Sequence, residues 1–179
     1  MDLYFYYIKP DYIDYLKRIE YDKRGFNCVP NMNYWNTNKF TFGAVLEVNS
    51  MNYYVPVSSY SKKQQDVILI TDKSKNKKTH SNPVLGSLRF AYMIPVPNSC
   101  CIKLDFDKIP TEKSRVHIAK ELSFCRRNRD KILKQAQKTY DRVLSGKYLE
   151  LSKHSCDFKL LENACLHYCI ENGLHNSTN

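Results

Sequence analysis

The spacing of apolar residues along the chain changes character near residue 111. Before that point, short runs of β-branched and aromatic residues alternate with polar turns, which is typical of strands. After it, apolar residues recur every three or four positions, which is typical of helices that bury one face. The pattern therefore predicts an α+β fold, in which helices pack on a compact antiparallel sheet or small barrel.

The first part of the chain carries the predicted strands. Residues 40–48 and 53–57 are joined by Asn49-Ser50-Met51-Asn52 and form a predicted hairpin. The asparagine-rich segment 26–39 lacks periodicity and is expected to be an ordered loop. The remaining predicted strands cover residues 3–8, 67–71, 88–94 and 100–106.

Helical periodicity predicts a first helix from Asp11 to just before Gly25. Segment 111–146 predicts one long helix, or two helices that meet near Arg129, and a last helix starts at Asp157. The chain has no internal repeat and no low-complexity linker, so we expect residues 1–179 to form a single domain with a frayed tail over 174–179.

Positive charge is concentrated in the predicted helices. The formal net charge is +10 and 13% of residues are aromatic. Residues 113–147 contain eleven Lys or Arg against three acids, and loop 72–80 contains four lysines and one acid. Such a distribution favours an anionic partner such as RNA or DNA. The alternative is that these cations only solvate an exposed helix face.

The seven cysteines form no paired spacing, which favours a reducing cytoplasm. No signal peptide and no apolar stretch of membrane-spanning length is found, so we expect a cytoplasmic protein without membrane contact. We also expect no metal and no cofactor. Cys165 and Cys169 would share a helix face, but His167 would point elsewhere and no second cluster completes a zinc site.

The most informative segment for chemistry is YYVPVSSYSKK at 53–63, where a strand runs into Ser58 and Ser59 and then into Lys62 and Lys63. RNA can be cleaved without a metal when its 2′-hydroxyl attacks the adjacent phosphate. A protein then needs only to move protons and stabilise charge. Hydroxyl and ammonium groups can do both, although such a segment can also be a simple polar turn.

Several segments together resemble the ToxN/AbiQ family of type III toxin–antitoxin endoribonucleases. They follow in order along most of the chain: YIDYLK, KFTFGAVLEV, YYVPVSS with the following KK, LGSLRFAYMIPV, ELSFCRRNRDKI, VLSGK and CDFKLLENAC. No single segment is decisive, and the resemblance rests on their order and spacing.

The resemblance implies a metal-independent endoribonuclease with a fold similar to the MazF/Kid toxins, active in phage abortive infection. It further implies inhibition by a small structured antitoxin RNA that is processed from tandem repeats, and a ring-like protein–RNA assembly. Transferred to this sequence, the family's catalytic pair falls on Ser59 and Lys62, with Ser58 beside the serine and Lys39 at the start of the preceding strand.

The sequence departs from the family pattern at one point. The pattern has one residue between serine and lysine, whereas Tyr60 and Ser61 both intervene here, so Ser61 with Lys63 is an alternative pair. The aromatic side chains of Tyr34 and Trp35 are either lids on the core or platforms for bases. The predicted RNA contacts are Tyr34, Trp35, Tyr60, Lys77, Lys78, Arg126, Arg127, Arg129 and Lys134. The alternative function is a non-catalytic basic RNA-binding regulator.

Overall fold

The hairpin of β4 (Thr41–Val48) and β5 (Met51–Ser58) forms the centre of the sheet. In the computed structural model, which describes residues 3–34, 37–59, 62–64, 66–72 and 82–174, only two residues link these strands. Asn49 and Ser50 have φ values of 49° and 61°, the left-handed backbone that a tight two-residue hairpin turn requires. The predicted hairpin is therefore present, with a shorter turn than expected.

The predicted α+β class is confirmed, with an antiparallel sheet that stays open rather than closing into a barrel. Its strands lie in the order β6-β7-β5-β4-β1-β9, and β8 also pairs with β5. A separate pair is formed by β2 and β3. The remaining strands are β1 (Tyr4–Ile8), β2 (Asn33–Tyr34), β3 (Thr37–Asn38), β6 (Val67–Thr71), β7 (Val84–Arg89), β8 (Ile94–Pro95) and β9 (Cys101–Lys103).

The helices begin and end close to where the sequence signals placed them. Thr111 accepts a hydrogen bond from the Ser114 N–H at 3.2 Å, and Asp157 accepts one from the Leu160 N–H at 3.1 Å, as N-caps do. Segment 111–146 forms two helices separated at Asn128. The helices are α1 (Pro10–Arg24), α2 (Glu112–Arg127), α3 (Arg129–Leu144), α4 (Leu149–Lys153) and α5 (Phe158–Glu171).

Two strand predictions were wrong in their bounds. The apolar run 88–94 is not one strand: β7 ends at Arg89, and Phe90–Tyr92 forms a 3₁₀ turn. The run is apolar because both its strand part and its turn part contribute buried side chains. The strand predicted over 100–106 covers only Cys101–Lys103, since the Asp105 carboxylate accepts the Asp107 N–H and starts another turn.

The core lies between the sheet and the helices. α2 packs on β6 and β7, α3 packs on β4, and α5 packs on β8 and α1. Buried tyrosines satisfy their hydroxyls inside this core: the Tyr12 hydroxyl donates to the Pro95 carbonyl at 2.7 Å, and the Tyr53 hydroxyl donates to Glu162 at 2.8 Å. In the part of the chain that the structure describes, no helix is long and apolar enough to cross a membrane.

Candidate active site at the end of β5

A cavity of ≈ 340 Å³ opens at the end of β5. Its size is within the range of small-molecule sites in proteins. Residues from β5 and β7, Lys39 just before β4, Tyr92 in the turn after β7 and the loop after α1 surround it. The described lining consists of Asn27, Cys28, Val29, Pro30, Asn31, Met32, Lys39, Pro56, Val57, Ser58, Arg89 and Tyr92.

Strand order explains why these residues meet. β5 lies between β4 and β7, and both neighbours are antiparallel to it, so the start of β4 lies on one side of the last residues of β5 and the end of β7 on the other. Val57 donates its N–H to the Phe40 carbonyl at 3.1 Å, which places Lys39 beside the end of β5. On the other side Ser58 pairs with Ser87, two residues before Arg89. Lys39, Ser58 and Arg89 therefore converge from non-local positions in the sequence.

The cavity is electropositive. Its described lining contains the cations of Lys39 and Arg89 and no carboxylate. Burial and the nearby Glu20 carboxylate raise the pKa of the Cys28 thiol, so this lining cysteine is not a ready thiolate nucleophile. Two cations and a hydroxyl around a concave surface suit a phosphodiester group.

The loop 27–32 is fixed from behind by Glu20, a fully buried residue of α1. One carboxylate oxygen accepts the N–H groups of Cys28 at 2.6 Å and Val29 at 3.2 Å. The other accepts Arg24 at 2.7 Å and the Asp157 N–H at 2.7 Å. The loop in turn holds Lys39, whose N–H donates to the Met32 carbonyl at 2.9 Å. Glu20 thus ties one wall of the cavity to α1 and to the start of α5.

A second buried glutamate supports the opposite wall. Glu121 of α2 lies against Gly86 of β7, so closely that a Cβ on Gly86 would be 2.6 Å from its Oε1. The same Cβ would be 3.0 Å from the Ser58 carbonyl oxygen. Burial raises the pKa of Glu121 to about 8. The Nε2 atom of His117 lies 3.5 Å from its carboxylate.

The predicted catalytic residues are partly brought together. Ser58 and Lys39 line the cavity, and the exposed Ser59 follows Ser58 directly. Lys62 and Lys63 are exposed beyond this strand end and are not among the described lining residues. Ser61 lies outside the described residues. The pairs Ser59/Lys62 and Ser61/Lys63 both stay predictions.

The predicted RNA contacts divide into two groups. Trp35, Tyr60, Lys77 and Lys78 lie outside the described residues, and only the backbone of Tyr34 is described, in β2. The cations on the α2–α3 pair are exposed on its surface, where they can reach a polyanion. They are Arg126, Arg127, Arg129 and Lys134.

Sequence reasoning missed Arg89, Glu20 and Glu121. Arg89 interrupts the apolar segment LRFAYM, and a charge inside such a run was an available signal. Its guanidinium carbon lies 4.2 Å from the centroid of the Tyr92 ring. Glu20 lies four residues after the buried Leu16, on the apolar face of α1, which was a second signal.

No metal-type constellation accompanies these groups in the described ranges. Across residues 3–34, 37–59, 62–64, 66–72 and 82–174, no cluster of three or more His, Cys, Asp or Glu residues is arranged to hold a metal ion.

Comparison with known proteins gives the family. The model of the toxin ToxN of type III toxin–antitoxin systems matches residues 4–166. The chain is 32% identical to the endoribonuclease AbiQ of Lactococcus lactis subsp. lactis over 90% of this chain and 87% of AbiQ. It is 33% identical to the endoribonuclease ToxN of Pectobacterium atrosepticum over 88% of this chain and 89% of that relative.

Solved structures agree with the sequence matches. A structure of AbiQ, described as a lactococcal anti-phage endoribonuclease, superposes with a TM-score of 0.77 at 28% identity, covering 95% of this chain and 99% of AbiQ. A type III toxin structure from work on selective toxin inhibition by a non-coding RNA pseudoknot gives a TM-score of 0.79 at 25% identity, covering 94% and 98% of the two chains. The family-model match and both relatives lead to one conclusion: the chain belongs to the ToxN family of type III toxin–antitoxin toxins.

Proposed function

We propose that the protein is an endoribonuclease that cleaves RNA without a metal ion. The observation that carries this proposal is the convergence of Lys39, Ser58 and Arg89 around one cavity, from just before β4, from the end of β5 and from the end of β7. The sequence relatives AbiQ and ToxN are endoribonucleases, which supports the same activity.

The proposed reaction is a transesterification. The 2′-oxygen of a ribose attacks the adjacent phosphorus, and the bond from phosphorus to the 5′-oxygen breaks. The products are a 2′,3′-cyclic phosphate and a 5′-hydroxyl. The 2′-hydroxyl loses its proton to solvent water and the 5′-oxygen gains one from the protein, which must also stabilise the charge on the phosphorane.

The residues at the cavity have distinct proposed roles. Ser58 and Ser59 bond the non-bridging oxygens of the phosphate. Lys39 and Arg89 stabilise the negative charge that accumulates on them, since cations in a partly desolvated cavity act more strongly than in water. The Lys62 ammonium gives a proton to the 5′-oxygen, or Lys63 does so in the alternative pairing with Ser61.

The partner proposed to restrain this activity is a small structured RNA processed from tandem repeats. The pseudoknot-inhibited structural relative supports an RNA inhibitor. Exposed Arg126, Arg127, Arg129 and Lys134 would contact its backbone phosphates. We further propose a ring-like assembly of toxin and RNA, a cytoplasmic location and a role in phage abortive infection, which the anti-phage relative supports.

Separate lysine variants test the catalytic assignment. Purified wild-type protein, Lys62→Ala and Lys63→Ala are compared on end-labelled RNA in EDTA, with Lys138→Ala on the exposed face of α3 as the matched loss of one charge. Removing the proton donor should lower the cleavage rate by about 10²-fold or more, because general acid catalysis contributes that much.

The pattern of losses identifies the working pair. A loss confined to Lys62→Ala supports Ser59/Lys62, and a loss confined to Lys63→Ala supports Ser61/Lys63. Full activity in both variants rejects a lysine as proton donor. Wild-type protein that binds RNA but leaves its ends unchanged supports the non-catalytic RNA-binding regulator.

A further inference from the structure

A second, smaller cavity of ≈ 110 Å³ adjoins the candidate active site. The two cavities share Arg89 and Tyr92 in their linings. The guanidinium carbon of Arg89 lies 4.2 Å from the centroid of the Tyr92 ring, so the shared wall is a stacked cation and aromatic ring. The two cavities are therefore neighbours.

The size and floor of the smaller cavity suit the edge of one planar ring. Val67, Ala91 and Leu151 supply apolar surface. For comparison, a cavity of about 150 Å³ lined by apolar side chains binds one benzene molecule. Exposed Gln64 and His154 complete the polar side of the lining. Because the cavity of ≈ 110 Å³ is smaller than the benzene-binding one, the edge of a nucleobase fits in it, whereas a whole nucleotide does not.

The remaining lining group, Asp66, determines which ring is favoured. Arg142 at 3.0 Å and Thr139 at 3.1 Å donate to its Oδ1, and Gln135 lies 3.5 Å from the same atom. These contacts from α3 fix the carboxylate in place. Oδ2 is the oxygen that can accept from a group in the cavity. An acceptor of this kind disfavours a phosphate and favours an N–H donor.

We infer that this cavity is a subsite for a nucleobase that carries an exocyclic amino group, beside the scissile phosphate of the bound RNA. This inference rests on the proposed function. The amino group donates to Oδ2 of Asp66, while Arg89 and Tyr92 separate the base from the reacting phosphate. The subsite gives the enzyme a base preference at one position next to the cleaved bond.

Two nucleotides that differ only in the amino group test the subsite. ¹⁵N-labelled wild-type protein is titrated with CMP and with 2-pyrimidinone riboside 5′-monophosphate, which lacks only the 4-amino group. CMP should shift the amide signals of Val67 and Ala91 and bind about tenfold more tightly than the analogue, because a hydrogen bond to a charged acceptor is lost in the latter. Equal affinities, or shifts confined to Asn31 and Lys39, would overturn the inference.

A blocking variant and its control test the location. Leu151→Trp fills the cavity, whereas Leu149→Trp places the same side chain on an exposed position of the same helix, α4. Only Leu151→Trp should abolish the CMP-dependent shifts. CMP shifts that persist at Val67 and Ala91 in a folded Leu151→Trp protein would contradict the assignment. Should Leu151→Trp fail to fold, the comparison of the two nucleotides on wild-type protein decides alone.

RNA cleavage separates this inference from the proposed function. With a random-sequence RNA as substrate, wild-type protein should prefer adenine, cytosine or guanine over uracil at one position beside the cut, and Leu151→Trp should lose that preference. Cleavage with no preference at any neighbouring position overturns the subsite and leaves the endoribonuclease proposal standing. Selective CMP binding without any cleavage rejects the endoribonuclease proposal and retains the subsite.

Discussion

Two buried glutamates support opposite walls of the candidate active site, and they do so in different ways. Glu20 accepts hydrogen bonds from Arg24 and from three backbone N–H groups. The carboxyl group of Glu121 lies 3.5 Å from Nε2 of His117. Burial raises the pKa of Glu121 to about 8. These four donors hold the Glu20 side chain in place, whereas desolvation of Glu121 favours its protonated form. One wall is fixed by hydrogen bonds and the other by close packing.

The largest effect is expected from Glu20→Gln. The amide keeps the shape, but its NH₂ group must face either Arg24 and the Asp157 N–H or the N–H groups of Cys28 and Val29. Breaking a buried ion pair and leaving donors unsatisfied should lower the free energy of unfolding by about 3 kcal/mol. Urea denaturation measures this loss.

A matched variant shows whether Glu20 also positions the cavity. Glu162 is another buried glutamate, bonded to Tyr53 at 2.8 Å and Tyr140 at 2.6 Å, and it is not among the described lining of the cavity. Both variants are compared at a temperature where they are folded. Glu20→Gln should lower kcat by about tenfold and Glu162→Gln should not, because only Glu20 holds the loop 27–32, which bonds the backbone of Lys39. Equal kcat values would reduce Glu20 to a purely structural role.

An effect of comparable size is expected from Glu121→Gln, and it depends on pH. The folded-state pKa of about 8 lies above the ordinary value of 4.5, so between these pH values the folded protein holds a proton that the unfolded chain has lost. The contribution of Glu121 to the free energy of unfolding is fully present below pH 4.5 and is lost as the pH rises to about 8. The slope is at most about 1.4 kcal/mol per pH unit.

Glu121→Gln should flatten this pH dependence, because the amide does not titrate. Urea denaturation of the wild type and the variant at pH 5, 6.5 and 8 measures the difference, with the variant gaining relative stability at the highest pH. Parallel pH profiles would show that Glu121 is ionised in the folded state, and the contrast with Glu20 would fail.

The smallest effect is expected from Gly86→Ala. The new Cβ would be too close to Glu121 and to the Ser58 carbonyl oxygen, so the free energy of unfolding should fall by about 1–2 kcal/mol. In a Glu121→Ala background the side-chain clash is removed, and the two losses should be less than additive by at least about 0.5 kcal/mol. Strict additivity in a double-mutant cycle would show that Gly86 and Glu121 do not pack as described.

Local signals predicted the helix ends better than the strand ends. Thr111, Asp157 and Gly25 act within a few residues of the turns they start or stop, so sequence alone placed α1, α2 and α5 closely. The end of β7 at Arg89 depends instead on pairing with β5 and β6, which are distant in sequence. An apolar run cannot distinguish a buried strand from a buried turn.

The candidate site was predicted in part for the same reason. The hydroxyls of Ser58 and Ser59 stand at a visible strand end, and the family resemblance added Lys39. Arg89 could not be assigned, because its place beside Ser58 follows from the strand order β4-β5-β7 rather than from any local spacing. The place of Glu20 on the apolar face of α1 is visible in the sequence, but its role at the site is not, because it acts through backbone N–H groups.

The central claim is that hydroxyl and cationic groups at the end of β5 direct a ribose 2′-hydroxyl onto its own phosphate. The most direct measurement uses an RNA that the wild-type protein cuts in EDTA, compared with the same RNA carrying one 2′-deoxy nucleotide at the cleaved position. We predict that cleavage stops at that position only, and that mass spectrometry finds a 2′,3′-cyclic phosphate on the unmodified RNA product. Continued cleavage at the deoxy position, or a product with a 3′-hydroxyl end, would contradict the mechanism.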